Sequence, residues 1–203
     1  MKRVFFSIFL PCILFAITEV GRCTSFNGDI TIERSGVEKV LLERGASIFV
    51  LDIIQLAENA RMQIKIKDGT FLNLIPGSRF QVTDFSAERG IFNSSLFAGG
   101  MRGITGSIAK QHPEQFMIRT PTATIGIRGT IFSINLLSQA SYFSCESGSI
   151  SIVNEAGLVV LGPKQQQQYA VIRGKGDAPL ILPKRPDALR YSNFISPTGS
   201  GCQ

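Results

Sequence analysis

From Asp29 onward, apolar and polar residues alternate in short runs, and each run is closed by a turn signal. Residues 29–34 alternate, and residues 37–43 form a second apolar run after Ser35-Gly36. Residues 61–67 place Met62, Ile64 and Ile66 on one face, the period of two that marks a half-buried strand. Asp68-Gly69 follows at once, then the apolar run 71–75, so this pair predicts a tight hairpin. Pro76-Gly77 turns the chain into residues 79–85, which alternate again. The glycine-interrupted stretch 91–108 reads as two strands, near 94–98 and 101–108, and a polar loop follows over 109–114. Further strands are expected at 115–119, 123–127, 130–136, 141–146, 149–154, 158–161 and 167–172. No window sustains a capped i, i+3, i+4 pattern. Residues 52–62 come nearest, and two short strands around Glu58-Asn59 fit them better.

The pattern is all-β. Strands this short, with turns this frequent, suit a sandwich, a roll or an irregular solenoid-like stack of hairpins rather than a parallel α/β sheet. The expected domain spans residues 28–172. Residues 173–203, with Pro179, Pro183, Pro186 and Pro197 and a Gly/Ser-rich end, read as an extended, flexible tail.

Residues 1–25 have the form of a secretory signal: Lys2 and Arg3 lead an apolar stretch over 4–17, and the small residues Gly21, Cys23 and Ser25 follow. Cleavage is expected after Cys23 or Ser25, with a periplasmic or secreted product. The apolar stretch is short for a membrane span, which needs about 20 residues. Lipid attachment at Cys23 is disfavoured by Arg22 just before it. Removal of this segment leaves Cys145 and Cys202, which an oxidising compartment would allow to pair or leave free.

The chain has 203 residues and a formal net charge of +6, but its basic residues are scattered and not interleaved with aromatics. Nucleic acid is therefore not an expected partner. His112 is the only histidine and sits in a loop, so no triad or histidine-based metal site is expected, and no cofactor or metal. Glu33, Glu38 and Glu43, or Asp84 and Glu88, are the available carboxylate pairs for glycoside chemistry. Their spacing is equally that of solvated strand faces, and no catalytic residue is assigned. Arg128 faces away from Ile125 and Ile127. It either anchors an anionic group or, the preferred reading, ties loop carbonyls together at a bend.

One stretch is distinctive: Thr120-Pro-Thr-Ala-Thr-Ile-Gly-Ile-Arg-Gly-Thr130. With Asp52-Ile-Ile, Lys67-Asp-Gly-Thr70, Leu74-Ile-Pro-Gly-Ser78, Glu146-Ser-Gly-Ser-Ile150 and Gly162-Pro-Lys-Gln-Gln166, it resembles the FecR-like domain family over about residues 36–172. The resemblance implies an all-β domain outside the inner membrane. In the namesake regulators that domain relays a signal from an outer-membrane receptor to a cytoplasmic sigma factor, through a membrane helix and an anti-sigma segment. Neither attachment is expected here, so what the resemblance implies is an exported binding or interaction module without catalytic residues. Its implied partner is an envelope protein, a membrane sensor or an outer-membrane receptor, met through an edge strand. The alternative is an envelope glycan or cell-wall binder using a face with Tyr142, Tyr169 or exposed phenylalanines. The binding residues themselves are not assigned.

Overall fold

The computed structural model describes residues 18–34 and 37–190, with the backbone alone over 37–41. The alternating runs form strands β1 (Glu19–Asn27), β2 (Ile30–Arg34), β3 (Val37–Leu41), β4 (Ser47–Phe49), β5 (Ile53–Leu56), β6 (Arg61–Ile66), β7 (Phe71–Leu74) and β8 (Arg79–Ser86). Then come the long β9 (Ile91–Ile104), the single helical turn α1 (Ile108–Gln111) and β10 (Phe116–Arg119). The rest are β11 (Thr124–Leu137), β12 (Ala140–Asn154), β13 (Gly157–Leu161), β14 (Tyr169–Ile172) and β15 (Leu180–Leu182). The protein is all-β, and its strands make one large mixed sheet that does not close.

Strand registers divide this sheet into two halves. One runs β3-β2-β5-β8-β9-β10-β11-β12-β13 and uses residues 91–98, 124–128 and 149–154 of the long strands. The other runs β4-β1-β6-β7-β9-β11-β12-β14-β15 and uses their remaining residues. All pairs are antiparallel except β9 with β10. Each half buries one face, and the buried side chains join in a single core that includes Phe80, Phe92, Phe116, Phe132 and Phe143. Phe92 and Phe116 stack at 4.5 Å between ring centroids, across the one parallel pairing.

The three shared strands turn a corner at a glycine. In β9 the buried positions are Phe92, Ser94 and Leu96 before Gly99, and Met101 and Gly103 after it. In β11 the core-facing positions are Ile125 and Ile127, then Phe132 and Ile134 beyond Gly129, where Ser133 and Asn135 on the other face are also covered, and β12 switches likewise around Gly148. Since strand side chains alternate with period two, an extra residue at the bend inverts the phase and keeps the same inner face inside. Gly99, Gly129 and Gly148 all have positive φ, at 70°, 55° and 72°, which L-residues with a Cβ adopt at a cost.

Hydroxyls stitch the corners. Ser78 Oγ accepts from Gly100 N–H at 3.0 Å and donates to Gly100 O at 2.7 Å. Thr105 Oγ1 does the same for Thr130 N–H and O, at 2.7 and 3.2 Å, and Ser147 Oγ accepts from Ile131 N–H at 3.0 Å.

Four local expectations are revised. The strand pairs expected over 91–108, 123–136 and 141–154 are three continuous strands, because their glycines are corners inside a strand rather than turns between strands. The polar loop at 109–114 holds α1 and a 3-10 turn, Pro113–Gln115. The boundary expected at residue 25 falls inside β1, whose Val20 and Cys23 belong to the core. The tail expected from residue 173 instead carries β15 and the turn Asp187–Leu189, where Leu189 is fully buried and Ala188 O accepts from Asn135 Nδ2 at 2.8 Å. Composition misled there, since prolines that exclude helix still permit an edge strand.

Candidate functional site

The distinctive segment folds into the Thr120 turn and the first half of β11. Thr120 Oγ1 donates to Ala123 O at 2.9 Å and accepts from Ala123 N–H at 3.1 Å, closing the turn before the strand starts. The inner face of this strand and its neighbours carries Ile118, Ile125, Ile127, Ile150, Ile152 and Leu161, all buried. The outer face carries small side chains in its middle columns. Met117, Gly126, Ser151 and Val160 lie in one cross-strand row, and Thr124, Val153 and Leu158 in the next.

The result is an open trough of about 480 Å3. Gly126, Ser149 and Ser151 form its floor, Met117 one wall, and Val153 and Val160 the other, with Arg128 and Glu114 also lining it. Beside it, β13 pairs with β12 alone among the described strands, so one of its edges is open. Leu158 on that strand is 60% exposed and Val153 on β12 is 43% exposed.

Arg128 is exposed and makes no hydrogen bond or ion pair among the described residues. The preferred expectation, a guanidinium tying loop carbonyls at the bend, is therefore corrected: Thr105 and Ser147 stitch that bend, and the Arg128 head is left to solvent above the trough. A free guanidinium beside apolar walls is suited to a carboxylate on an incoming chain, since its fork matches that group in two hydrogen bonds.

The other residues singled out from sequence are not brought together. His112 is exposed at the end of α1, its ring against Gly90. Asp84 faces Arg89 at 3.9 Å on the surface, and Glu33, Glu43 and Glu88 are exposed. None of these carboxylates lines the trough or the depression described next, and the side chain of Glu38 lies outside the described residues. No cluster of three or more metal-ligating side chains occurs among the described residues. Tyr142 and Tyr169 are half-buried strand residues. Cys145 is a free, fully buried thiol whose pKa burial pushes up to about 11, and Cys202 lies outside the described residues.

The second depression, about 410 Å3, lies between Phe97, Pro121 and Leu137, with Arg173 and Lys175 beside it. Sequence reasoning did not find either depression. The available signal for the first was the run of small residues facing outward opposite an isoleucine face.

Asp52, in another of the distinctive segments, is a structural residue. Arg34 Nε and an Nη donate to its two oxygens at 2.7 Å each, and Phe49 N–H donates to it at 2.9 Å. The paired carboxylate holds the Arg34 guanidinium above its ordinary pKa, and that guanidinium also lies 4.3 Å over the Phe49 ring.

Comparison with known proteins places this geometry. No curated protein matches the sequence. Two crystal structures of a candidate anti-sigma factor from Parabacteroides distasonis ATCC 8503 share the fold, with TM-scores of 0.56 and 0.54 at 18% identity. The alignments cover 68% and 67% of this chain but only 62% and 60% of those chains, so it spans about three fifths of their length. A family model described as FecR protein matches residues 52–151, from Asp52 through the corner strands to the trough floor at Ser151. The chain thus carries a FecR domain over residues 52–151, as the distinctive segments led one to expect.

Proposed function

We propose that this chain is an exported, non-enzymatic interaction module of the cell envelope, working in signalling through contact with another protein. The partner presents an extended segment that lies along the open edge of β13 and over the trough. Its backbone pairs with the strand, its apolar side chains meet Val153, Val160 and Met117, and an acidic side chain meets Arg128. The segment belongs to a membrane sensor or outer-membrane receptor in the periplasm.

The observation that carries this reading is Arg128, without a hydrogen-bond or ion-pair partner among the described residues and held over a small-residue floor by the distinctive segment. The FecR domain and a fold shared with a candidate anti-sigma factor favour signalling over a purely structural role.

The test is a photo-crosslinking residue placed at Leu158, on the exposed edge strand beside the trough, in the full chain and activated in envelope fractions. The expected result is one discrete adduct with an envelope membrane protein, lost in Arg128→Glu and in Gly126→Val, which fills the floor. A Cβ at Gly126 meets only Ser151 Oγ, at 2.7 Å, a side-chain end that can turn aside, and circular dichroism of the variant checks that the fold is kept. Adducts unchanged by both substitutions would remove the trough from the reading. Retention on purified peptidoglycan, with no protein adduct, would favour the glycan-binding alternative.

A further inference from the structure

We infer that the leader is removed by hydrolysis of the Thr18–Glu19 bond, upstream of the Cys23 and Ser25 positions that the small-residue pattern first indicates. This rests on the reading of the protein as exported.

The argument starts with what β1 does. It lies between β4 and β6 and is the only described strand that β4 pairs with. Val20 is fully buried and Cys23 is 1% exposed, both in the core. Lys67 N–H donates to Val20 O at 2.9 Å, Cys23 N–H to Ala46 O at 3.0 Å, and Gly45 N–H to Cys23 O at 3.0 Å. Thr24 Oγ1 donates to Gln63 Oε1 at 2.8 Å, and Gln63 Nε2 continues to Asn73 Oδ1 at 3.0 Å.

Even Glu19 is engaged. Its carboxylate accepts from Ser47 Oγ at 2.7 Å and pairs with Lys67 Nζ at 2.9 Å, and these contacts hold its pKa down near 2. A cut after Cys23 or Ser25 would strip this strand out of the sheet and leave β4 without a partner. A lipid on Cys23 would also not fit this fold, in which that side chain is buried in the core.

The recognition element for a cut upstream of β1 is in the sequence. Signal peptidases read small side chains at the residue before the cut and two residues before that. Between Pro11 and Glu19, Ala16 and Thr18 are the one pair of small residues with that spacing. Ahead of them lie Lys2 and Arg3, the apolar stretch 4–10 and then Pro11, in the order a cleaved leader requires. Water adds across the Thr18–Glu19 amide, leaving a carboxylate on Thr18 and a new α-ammonium on Glu19. The fold gives up one backbone bond at the sheet edge, Val50 N–H to Thr18 O at 2.9 Å.

The experiment expresses the full chain with a C-terminal tag in a Gram-negative host, followed by fractionation, intact mass and N-terminal sequencing. Glu19 is the expected first residue of the periplasmic product, and Ala16→Asp is expected to accumulate uncut precursor. A periplasmic product beginning at Thr24 or Phe26 would overturn this inference and leave export standing. So would a full-length chain in the envelope fraction, or normal processing of Ala16→Asp. A full-length chain confined to the cytoplasm would overturn both readings. As a folding control, a chain begun at Glu19 is expected to melt cooperatively and one begun at Thr24 to be insoluble or molten; equal melting of the two would sink the structural argument.

Discussion

At the residue scale, the Arg34–Asp52 pair joins a guanidinium to a buried carboxylate through two hydrogen bonds of 2.7 Å. Asp52 is fully buried as a side chain, while Arg34 keeps 29% of its own exposed, so solvent moderates the cost of breaking them apart. Asp52→Ala is expected to lower unfolding free energy by about 3 kcal/mol, the low end for leaving one partner of a buried pair uncompensated. Arg34→Met, which strands the fully buried carboxylate, should cost at least as much at neutral pH, and the double variant should cost clearly less than the sum of the two, in urea unfolding followed by fluorescence or circular dichroism. Additive costs would mean that Asp52 acts through Phe49 N–H alone. The contrast with Arg128 is instructive: two arginines follow strand alternation equally well in the sequence, but only one has a carboxylate within reach.

At the element scale, glycine decides how three long strands cross from one half of the sheet to the other. A Cβ on Gly148 would run into the Gly129 carbonyl oxygen, and its φ is already positive. Gly148→Ala is therefore expected to cost about 3 kcal/mol, combining left-handed strain with a backbone clash. Gly45→Ala is the control: its φ is also positive but nothing lies within 4 Å, so it should cost about 1 kcal/mol. Equal costs would show that conformational strain alone matters at the corner.

These corners also explain what was legible in the sequence. The β6–β7 hairpin was readable because Asp68-Gly69 is a true turn between two clean alternations. β9, β11 and β12 were cut in two because a corner glycine and a phase flip imitate a turn. β1 was hidden because its buried side is built from small residues and one valine, and its charged positions Glu19 and Arg22 face outward. The trough could not be read at all: it exists only once Ser149 and Ser151 pair beside Arg128 and Gly126, and pairing across more than twenty residues leaves no local mark.

At the scale of the whole molecule, the shared strands make the two halves inseparable. Opening one half would fray three strands of the other, so unfolding should be a single cooperative event. Native-state hydrogen exchange is expected to place the slowest amides in β9, β11 and β12 on both sides of their corners, with one common opening free energy. Two protected classes divided at Gly99, Gly129 and Gly148 would show that the halves open independently. No described helix is long and apolar enough to cross a membrane.

The position of β1 also sets a timetable. Of the described strands it is the first to leave the ribosome or any pore the chain is threaded through, yet the neighbour it needs, β6, begins at Arg61. The corner strands that complete the core arrive later still, up to Asn154. Pairings this far apart along the chain make for slow folding, on the scale of milliseconds to seconds. For that interval the apolar side of the earliest strand has nothing to cover it. A chain built this way must be kept from sticking to others of its kind until its last third has emerged.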